Sequence, residues 1–558
     1  MATRRRGVFL TPLPFAKKAC EYLEKMLGGC CWQSGGYRLW DMAAGTGHLE
    51  IFLPKDILPY CYLSTLEHED VRHLEKEFPA ATVFQYDYLN DDVSKMPNVL
   101  CKDLADPKIK WIILINPPYA TAQEAGLKGK SKEGVSDTKI RKQMHAEGLG
   151  EVSRELYVQF LYRIMAEFKG RETLLGLFSP LKYLISANYQ KFRDNVLRAV
   201  FQSGFIFSSE NFCGTSRASH FPVSFIVWAL HRDANFRLRN MAQSEFCGSD
   251  LILTLDILDS APQKIGEKIV LSAHRNEFLS RWINRPRGTQ IFPPFGSALT
   301  IKTNNADTRN RIAHGFLASL MCPGNELQNQ QQTAFLSGPQ ASAGALSVTP
   351  DNFEQAVIVF AARRIPKDWW VNHVDQLMRP NREPSPQFVG DCAVWSLFDS
   401  KNQTVALRNV SYQGHVYQVI NHFFPFPIEY VCAWLTERQF LDCDMQGNLK
   451  IKASLSCNSF VADWLARRTL SAESQAVLTS AKAIYHFYFA NMHLLRRAKF
   501  KIETYDAGWY QIRQALLDAE LGVDLLADIK HQHDHLKEKI LPLLYDYGIV
   551  SEPGRGTQ

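Results

Sequence analysis

The stretch Trp111-Ile112-Ile113-Leu114-Ile115-Asn116-Pro117-Pro118-Tyr119 constrains the fold more than any other part of the chain. Its apolar run is short, largely β-branched and without polar alternation, which reads as a parallel strand buried on both faces. An amide and two prolines end it. Proline has no N–H to give to a sheet ladder, so the chain must leave the sheet there. Open α/β sheets bind ligands just beyond the carboxyl ends of their strands, which puts Asn116 and Tyr119 at the mouth of an expected site. A plain strand-terminating turn is the competing reading of the same four residues.

The chemistry of Asn116-Pro117-Pro118-Tyr119 suits a poor nitrogen nucleophile. The exocyclic amine of adenine or cytosine has its lone pair delocalised into the ring. The Asn116 amide oxygen and the Pro117 carbonyl can each accept one of its N–H bonds, which makes the lone pair more available to an electrophilic methyl. The prolines hold both acceptors at low entropic cost, and Tyr119 offers a face on which an extruded base can stack.

The rest of the first half supplies a frame for that site. Phe15–Leu27 has helical periodicity, with Thr11 and Pro12 placed to cap it or to serve the site. Tyr37–Trp40 reads as a strand that runs into Asp41-Met42-Ala43-Ala44-Gly45-Thr46-Gly47-His48-Leu49-Glu50 and then a helix. Gly45 and Gly47 permit close approach of a ligand, but Glu50 stands where the dinucleotide fingerprint has its third glycine. Small residues with an acid suit the cationic amino group of S-adenosylmethionine better than a pyrophosphate. Cys61–Leu66, ending in Glu67, is strand two, and that carboxylate is placed for ribose hydroxyls. Val83–Tyr86, ending at Asp87, is strand three, and Trp111–Ile115 is strand four.

These motifs, in this order, resemble the amino-methyltransferases of DNA, in the class whose cofactor motifs precede the catalytic tetrad (the gamma order). About 75 residues separate Asp41 from Asn116, which leaves no room for a recognition domain between them. The resemblance covers roughly residues 7–230. It implies a Rossmann-like class I methyltransferase core and S-adenosylmethionine as cofactor. Thr11 and Asp41 would flank the methionine moiety, with Ala43 and Gly45 close to it and Asn116 beside it. Glu67 would hold the ribose, and His68, Asp87 and Tyr88 would frame the adenine. Family members often set an aromatic opposite the tetrad tyrosine; Phe212 and Phe221 are both candidates. Glu155–Phe160 begins a pattern that resembles the helix behind the site, Leu174–Pro180 strand five, Lys182–Val200 a helix and Phe221–Trp228 part of the last hairpin.

Composition bounds the remainder. A chain of 558 residues is too long for one core. Residues 1–235 read as the catalytic domain and 236–558 as a DNA target-recognition region, mixed α/β to about residue 455 and mainly helical after it. Within it, Cys322–Pro350 reads as a long loop, Val357–Phe360 and Val405–Val419 as strands, and Ala462–Leu544 as helical. Arg363, Arg364, Trp369, Trp370, Arg379 and Arg382 could contact bases or phosphates, or simply snorkel over a small core. Net charge is +6, compatible with nucleic acid. Lys128, Lys130, Lys132, Lys139, Arg141 and Lys142 cluster after the tetrad and suit phosphate contacts. Twelve cysteines without a C-x-x-C pair argue for reduced thiols and against a zinc ribbon. No signal peptide or membrane span is expected, and the chain is read as a cytoplasmic monomer.

The expected function is methyl transfer to adenine N6 in double-stranded DNA, with a separate cognate restriction endonuclease as a conceivable partner. Cytosine N4, an RNA adenine and a protein glutamine amide pose the same chemical problem and stay open. A fused restriction–modification enzyme is disfavoured, since no D…E-x-K nuclease constellation is visible.

Overall fold

The computed structural model of the protein describes residues 10–28, 36–119, 138–212, 220–230, 249–273, 275–297, 300–301, 310–340, 345–366, 369–437, 459–495 and 505–552. Lys128, Lys130 and Lys132 lie outside the described residues. The chain forms two compact units. One holds the residues up to Arg275 together with Trp369–Asp375, and the other holds Asn276–Asp368 and Gln376–Ser551.

The first unit is built on a nine-stranded sheet. Its strands are β1 (Tyr37–Asp41), β2 (Cys61–Thr65), β3 (Thr82–Gln85), β4 (Lys110–Ile115), β5 (Thr173–Pro180), β6 (Ala199–Ser208), β7 (Pro222–Leu230), β8 (Ser249–Leu258) and β9 (Lys264–Ala273). The order is β3-β2-β1-β4-β5-β7-β6-β8-β9. β1 to β5 pair in parallel, and β7 runs antiparallel between β5 and β6. This is a Rossmann-like, doubly wound α/β core, as the sequence led one to expect. The expected boundary at residue 235 falls between β7 and β8, yet β8 and β9 beyond it continue the same sheet.

β4 is central in position and in packing. Trp111, Ile113 and Ile115 pack into the cluster on one face, Ile112 and Leu114 into the cluster on the other, and all five are fully buried. Each such side chain contributes about 2 kcal/mol by leaving water. Helix α1 (Leu13–Leu27) covers the Ile112 face, where Phe15 stacks on Phe207 with centroids 3.9 Å apart. Helix α2 (His68–Glu77) follows β2, and α3 (Asn98–Ala105) precedes β4. α4 (Lys139–Ala146) and α5 (Leu156–Glu167) lie on the Trp111 face.

Two helical expectations fail in this unit. After the Gly45–Gly47 turn there is no α-helix, only the 3-10 turns Glu50–Phe52 and Leu58–Tyr60. Pro54 and Pro59 interrupt the short stretch available before β2, and each removes a helical N–H. Lys182–Val200 is likewise broken into Lys182–Ile185, a 3-10 turn and Gln190–Asn195, and its last two residues already belong to β6.

The second unit has its own core. A four-stranded sheet of Leu346–Val348, Ala318–Met321, Ala334–Leu336 and Asn402–Gln403 packs with helices Phe353–Arg364, Pro386–Phe398, Ala472–Leu495 and Val523–Asp546. Two expectations are corrected. Cys322–Pro350 is not merely a loop, because it contributes two short buried core strands, Ala334–Leu336 and Leu346–Val348. Val357–Phe360 lies inside a helix, and because that helix is buried almost all round, its β-branched run carried no helical period. The strand structure expected in Val405–Val419 is present, as a hairpin of Leu407–Tyr412 and His415–Val419.

The arginines of this region mostly serve the fold. Buried Arg363 donates to Thr333 Oγ1 and to the carbonyls of Gly324 and Pro323, and Arg364 forms a forked pair with Asp399.

Trp369–Asp375 belongs to the first unit although it is distant in sequence. Val371 and Val374 join the Trp111-face core, and Asp375 pairs with buried Lys268 of β9 at 2.6 Å. Removing one partner of such a pair strands the other charge. Asp375→Ala is therefore expected to destabilise the first unit by about 3 kcal/mol in chemical denaturation. The double substitution Lys268→Met/Asp375→Leu should recover most of that loss.

Candidate functional site

The site forms where the sheet order reverses, between β1 and β4, just past their carboxyl ends. Asn116 is the first residue after β4. Its Nδ2 donates to Thr11 Oγ1 at 2.8 Å, and its Oδ1 accepts from the Tyr119 hydroxyl at 2.7 Å. The amide is thus held between two hydroxyls, one of them 105 residues away in sequence. Thr11 is 3% exposed and does not cap α1: the N-cap is Pro12, with no side-chain capping bond. The backbone carbonyl of Thr11 also lies 2.9 Å from His48 Nδ1, which ties it to the glycine turn after β1.

Tyr119 is half-buried. Its ring meets Tyr157 and Phe212 edge-on, at 6.3 and 6.5 Å and interplanar angles of 87°. Phe212 thus makes an edge contact rather than a parallel sandwich, while Phe221 packs partly buried against the α1-face core. Burial pushes the Tyr119 phenol well above its ordinary range, so it is a hydrogen donor at neutral pH.

The turn after β1 presents a second group of residues. Asp41 is buried and accepts from the Ala43 amide at 2.7 Å. Gly45 has φ +54°, and a Cβ there would meet only the Ala43 carbonyl oxygen, at 3.9 Å; the space beside it is open. The Thr46 hydroxyl is buried and has no hydrogen-bond partner among the described residues. Gly47 serves packing instead, since at φ +80° it lets Phe78 and Leu74 sit where a Cβ would clash. An acid, an orphaned hydroxyl and open backbone together fit a ligand that carries both a cationic amine and acceptor oxygens.

The other expected positions are less uniform. Glu67 is exposed at the N-cap of α2, with exposed His68 beside it. Asp87 turns its carboxylate inward, accepting from the Leu89 amide and from Asn90 Nδ2. The Tyr88 side chain is committed to the core, stacked on Phe160 with its hydroxyl on Glu167. Arg141 and Lys142 sit on α4, and Lys139 is paired with Asp92.

Glu50 is the residue that sequence reasoning passed over. It is 1% exposed, and neither carboxyl oxygen makes a hydrogen bond of ordinary geometry among the described residues. Asp41 is the charged group beside it. Burial first, and then the charge of Asp41, pushes Glu50 well above the usual carboxylate range; burial pushes Asp41 up to about 7. Its position within the apolar run Leu49-Glu50-Ile51-Phe52 was the available signal.

No protein-family model and no curated protein match the chain. Solved structures similar to it include the cryoEM structure of a DrdV–DNA complex, 15% identical, covering 59% of this chain and 36% of that one, with TM-score 0.35. The type ISP restriction-modification enzyme LlaBIII bound to DNA is 12% identical, covering 59% and 26%, with TM-score 0.34. The M protein of the type I restriction enzyme EcoKI is 13% identical, covering 45% and 48%, with TM-score 0.27. The chain thus covers less than half the length of each of these proteins. No helix among the described residues is long and apolar enough to cross a membrane.

The buried acids set a pH dependence. Above the ordinary carboxylate range, near 4.5, the unfolded chain has lost protons that the folded pair retains, so the pair's contribution to stability falls as pH rises. Glu50→Gln should therefore stabilise the ligand-free protein relative to wild type. In thermal unfolding, that difference should widen from pH 4.5 through neutrality.

Proposed function

We propose that the chain is an S-adenosylmethionine-dependent DNA methyltransferase acting on the N6 amine of an adenine extruded from double-stranded DNA. The observation that carries the reading is the Asn116 amide, held by Thr11 and Tyr119 just beyond β4 and next to the glycine turn of β1. S-adenosylmethionine supplies an electrophilic methyl on a sulfonium. The chain's own groups bind and orient. Asp41 faces the cationic α-amino group, Ala43, Gly45 and Thr46 accommodate the methionine moiety, and Glu67 takes the ribose hydroxyls. Asp87 and the backbone at His68 and Tyr88 border the adenine of the cofactor.

At the reacting nitrogen, Asn116 Oδ1 and the Pro117 carbonyl accept the two N–H bonds of the target amine, and Tyr119 stacks on the base. The arriving amine shares Asn116 Oδ1 with the Tyr119 hydroxyl, since an amide oxygen has two lone pairs to offer. Pro118 keeps the turn rigid. Asparagine rather than serine at the first tetrad position supports adenine over cytosine. The second unit, Asn276–Asp368 and Gln376–Ser551, is the proposed target-recognition region, since it far exceeds what the catalytic core requires.

The test is nucleoside mass spectrometry on unmethylated plasmid incubated with the protein and S-adenosylmethionine. N6-methyladenine is expected from the wild type, reduced by at least about a hundredfold in Asn116→Ala. N4-methylcytosine would keep the chemistry and change the base. No methylated nucleoside, with S-adenosylhomocysteine demonstrably bound, would overturn the DNA reading. A second expectation concerns the backbone contacts. Changing Lys139, Arg141 and Lys142 together to Gln should weaken binding to all DNA sequences alike. The slope of log affinity against log salt should flatten by up to about 3. A loss confined to one sequence would argue against phosphate contacts.

A further inference from the structure

Thr11 has a place in the structure that none of its expected roles explains. A threonine just before a helix ordinarily caps it, but this helix starts on Pro12 without a side-chain cap. A contact to the methionine moiety would use the hydroxyl proton and would not by itself require a bond to Asn116. Yet its Oγ1 accepts from Asn116 Nδ2 at 2.8 Å, at a position 3% exposed. Its carbonyl oxygen is bound at the same time by His48 of the glycine turn.

The geometry points to Thr11 as the positioning residue of Asn116. It holds the plane of the amide so that Oδ1 faces the side where Tyr119 lies and the target amine must bind. This inference rests on the methyltransferase reading and deepens it by giving the acceptor a fixed support.

The physical case is one of degrees of freedom. Asn116 follows a strand and precedes two prolines, so its backbone is well defined, but an asparagine side chain still turns about two bonds and its last torsion is soft. In the resting protein the amide is gripped at both ends, by Thr11 at Nδ2 and by the Tyr119 hydroxyl at Oδ1. When the target amine binds Oδ1, the Tyr119 hydroxyl has to share that oxygen. The Thr11 bond competes with no substrate atom and so persists through the reaction. His48, bonded to the Thr11 carbonyl, makes the support continuous with the turn that receives the cofactor.

Removal of the Thr11 hydroxyl should therefore act on turnover rather than on cofactor affinity. Thr11→Val preserves shape and burial and lacks the acceptor; Thr11→Ser keeps it. Under saturating cofactor and DNA, Thr11→Val is expected to lower kcat about tenfold, the scale on which a slightly misdirected catalytic group is felt. The Kd for S-adenosylhomocysteine, read by calorimetry, should stay within about twofold of wild type, the thermal unfolding midpoint should be unchanged, and Thr11→Ser should restore kcat. A Kd that rises tenfold in Thr11→Val with saturated kcat intact would overturn the inference and make Thr11 a cofactor contact. So would a loss of kcat that Thr11→Ser fails to rescue. A wild-type protein that binds S-adenosylhomocysteine but methylates no DNA would instead overturn the underlying reading, and this inference with it.

Discussion

Burial of β4 on both faces is the constraint from which the site follows. Two separate apolar clusters close over Ile112 and Leu114 on one side and over Trp111, Ile113 and Ile115 on the other. A strand so enclosed cannot slide by one residue without exchanging every side chain between the two cores. Register therefore fixes where the strand ends, and the prolines fix how the chain departs. The Asn116 amide inherits its position from that packing. It then needs only two hydroxyls to set its orientation, and both are present.

A second constraint is electrostatic. Asp41 and Glu50 are buried beside one another. Burying an acid is costly unless it stays protonated or meets a cation. In the proposed reading, the cationic amino group of the cofactor would offset part of that cost.

The parts of the molecule legible in the sequence were those where a local pattern maps onto a single geometry. The apolar run and double proline at residues 111–118 have few interpretations, and the glycine turn after β1 is similarly explicit. The misreadings have different physical origins. The helix around Val357 is buried on nearly all sides, so apolar residues occupy every face and the period disappears. The strands in Cys322–Pro350 are only three residues each, Ala334–Leu336 and Leu346–Val348, too short to show a period amid the Gln-, Gly-, Ser- and Ala-rich stretches around them. The helix expected after Gly47 gave way to 3-10 turns because Pro54 and Pro59 outweighed the topological precedent.

The amino-acid sequence by itself determined the central strand, the turn that follows it, the acid and glycines of the first loop and the order in which these occur. All of these depend on neighbours along the chain. Contacts between distant residues were decided only by the tertiary structure. Thr11 reaches Asn116 across 105 positions, Phe212 comes edge-on to Tyr119, Trp369–Asp375 returns to pair with Lys268, and Glu50 loses its solvent. No local pattern encodes such pairings, because each is set by how two cores close around a sheet rather than by the preference of any single segment.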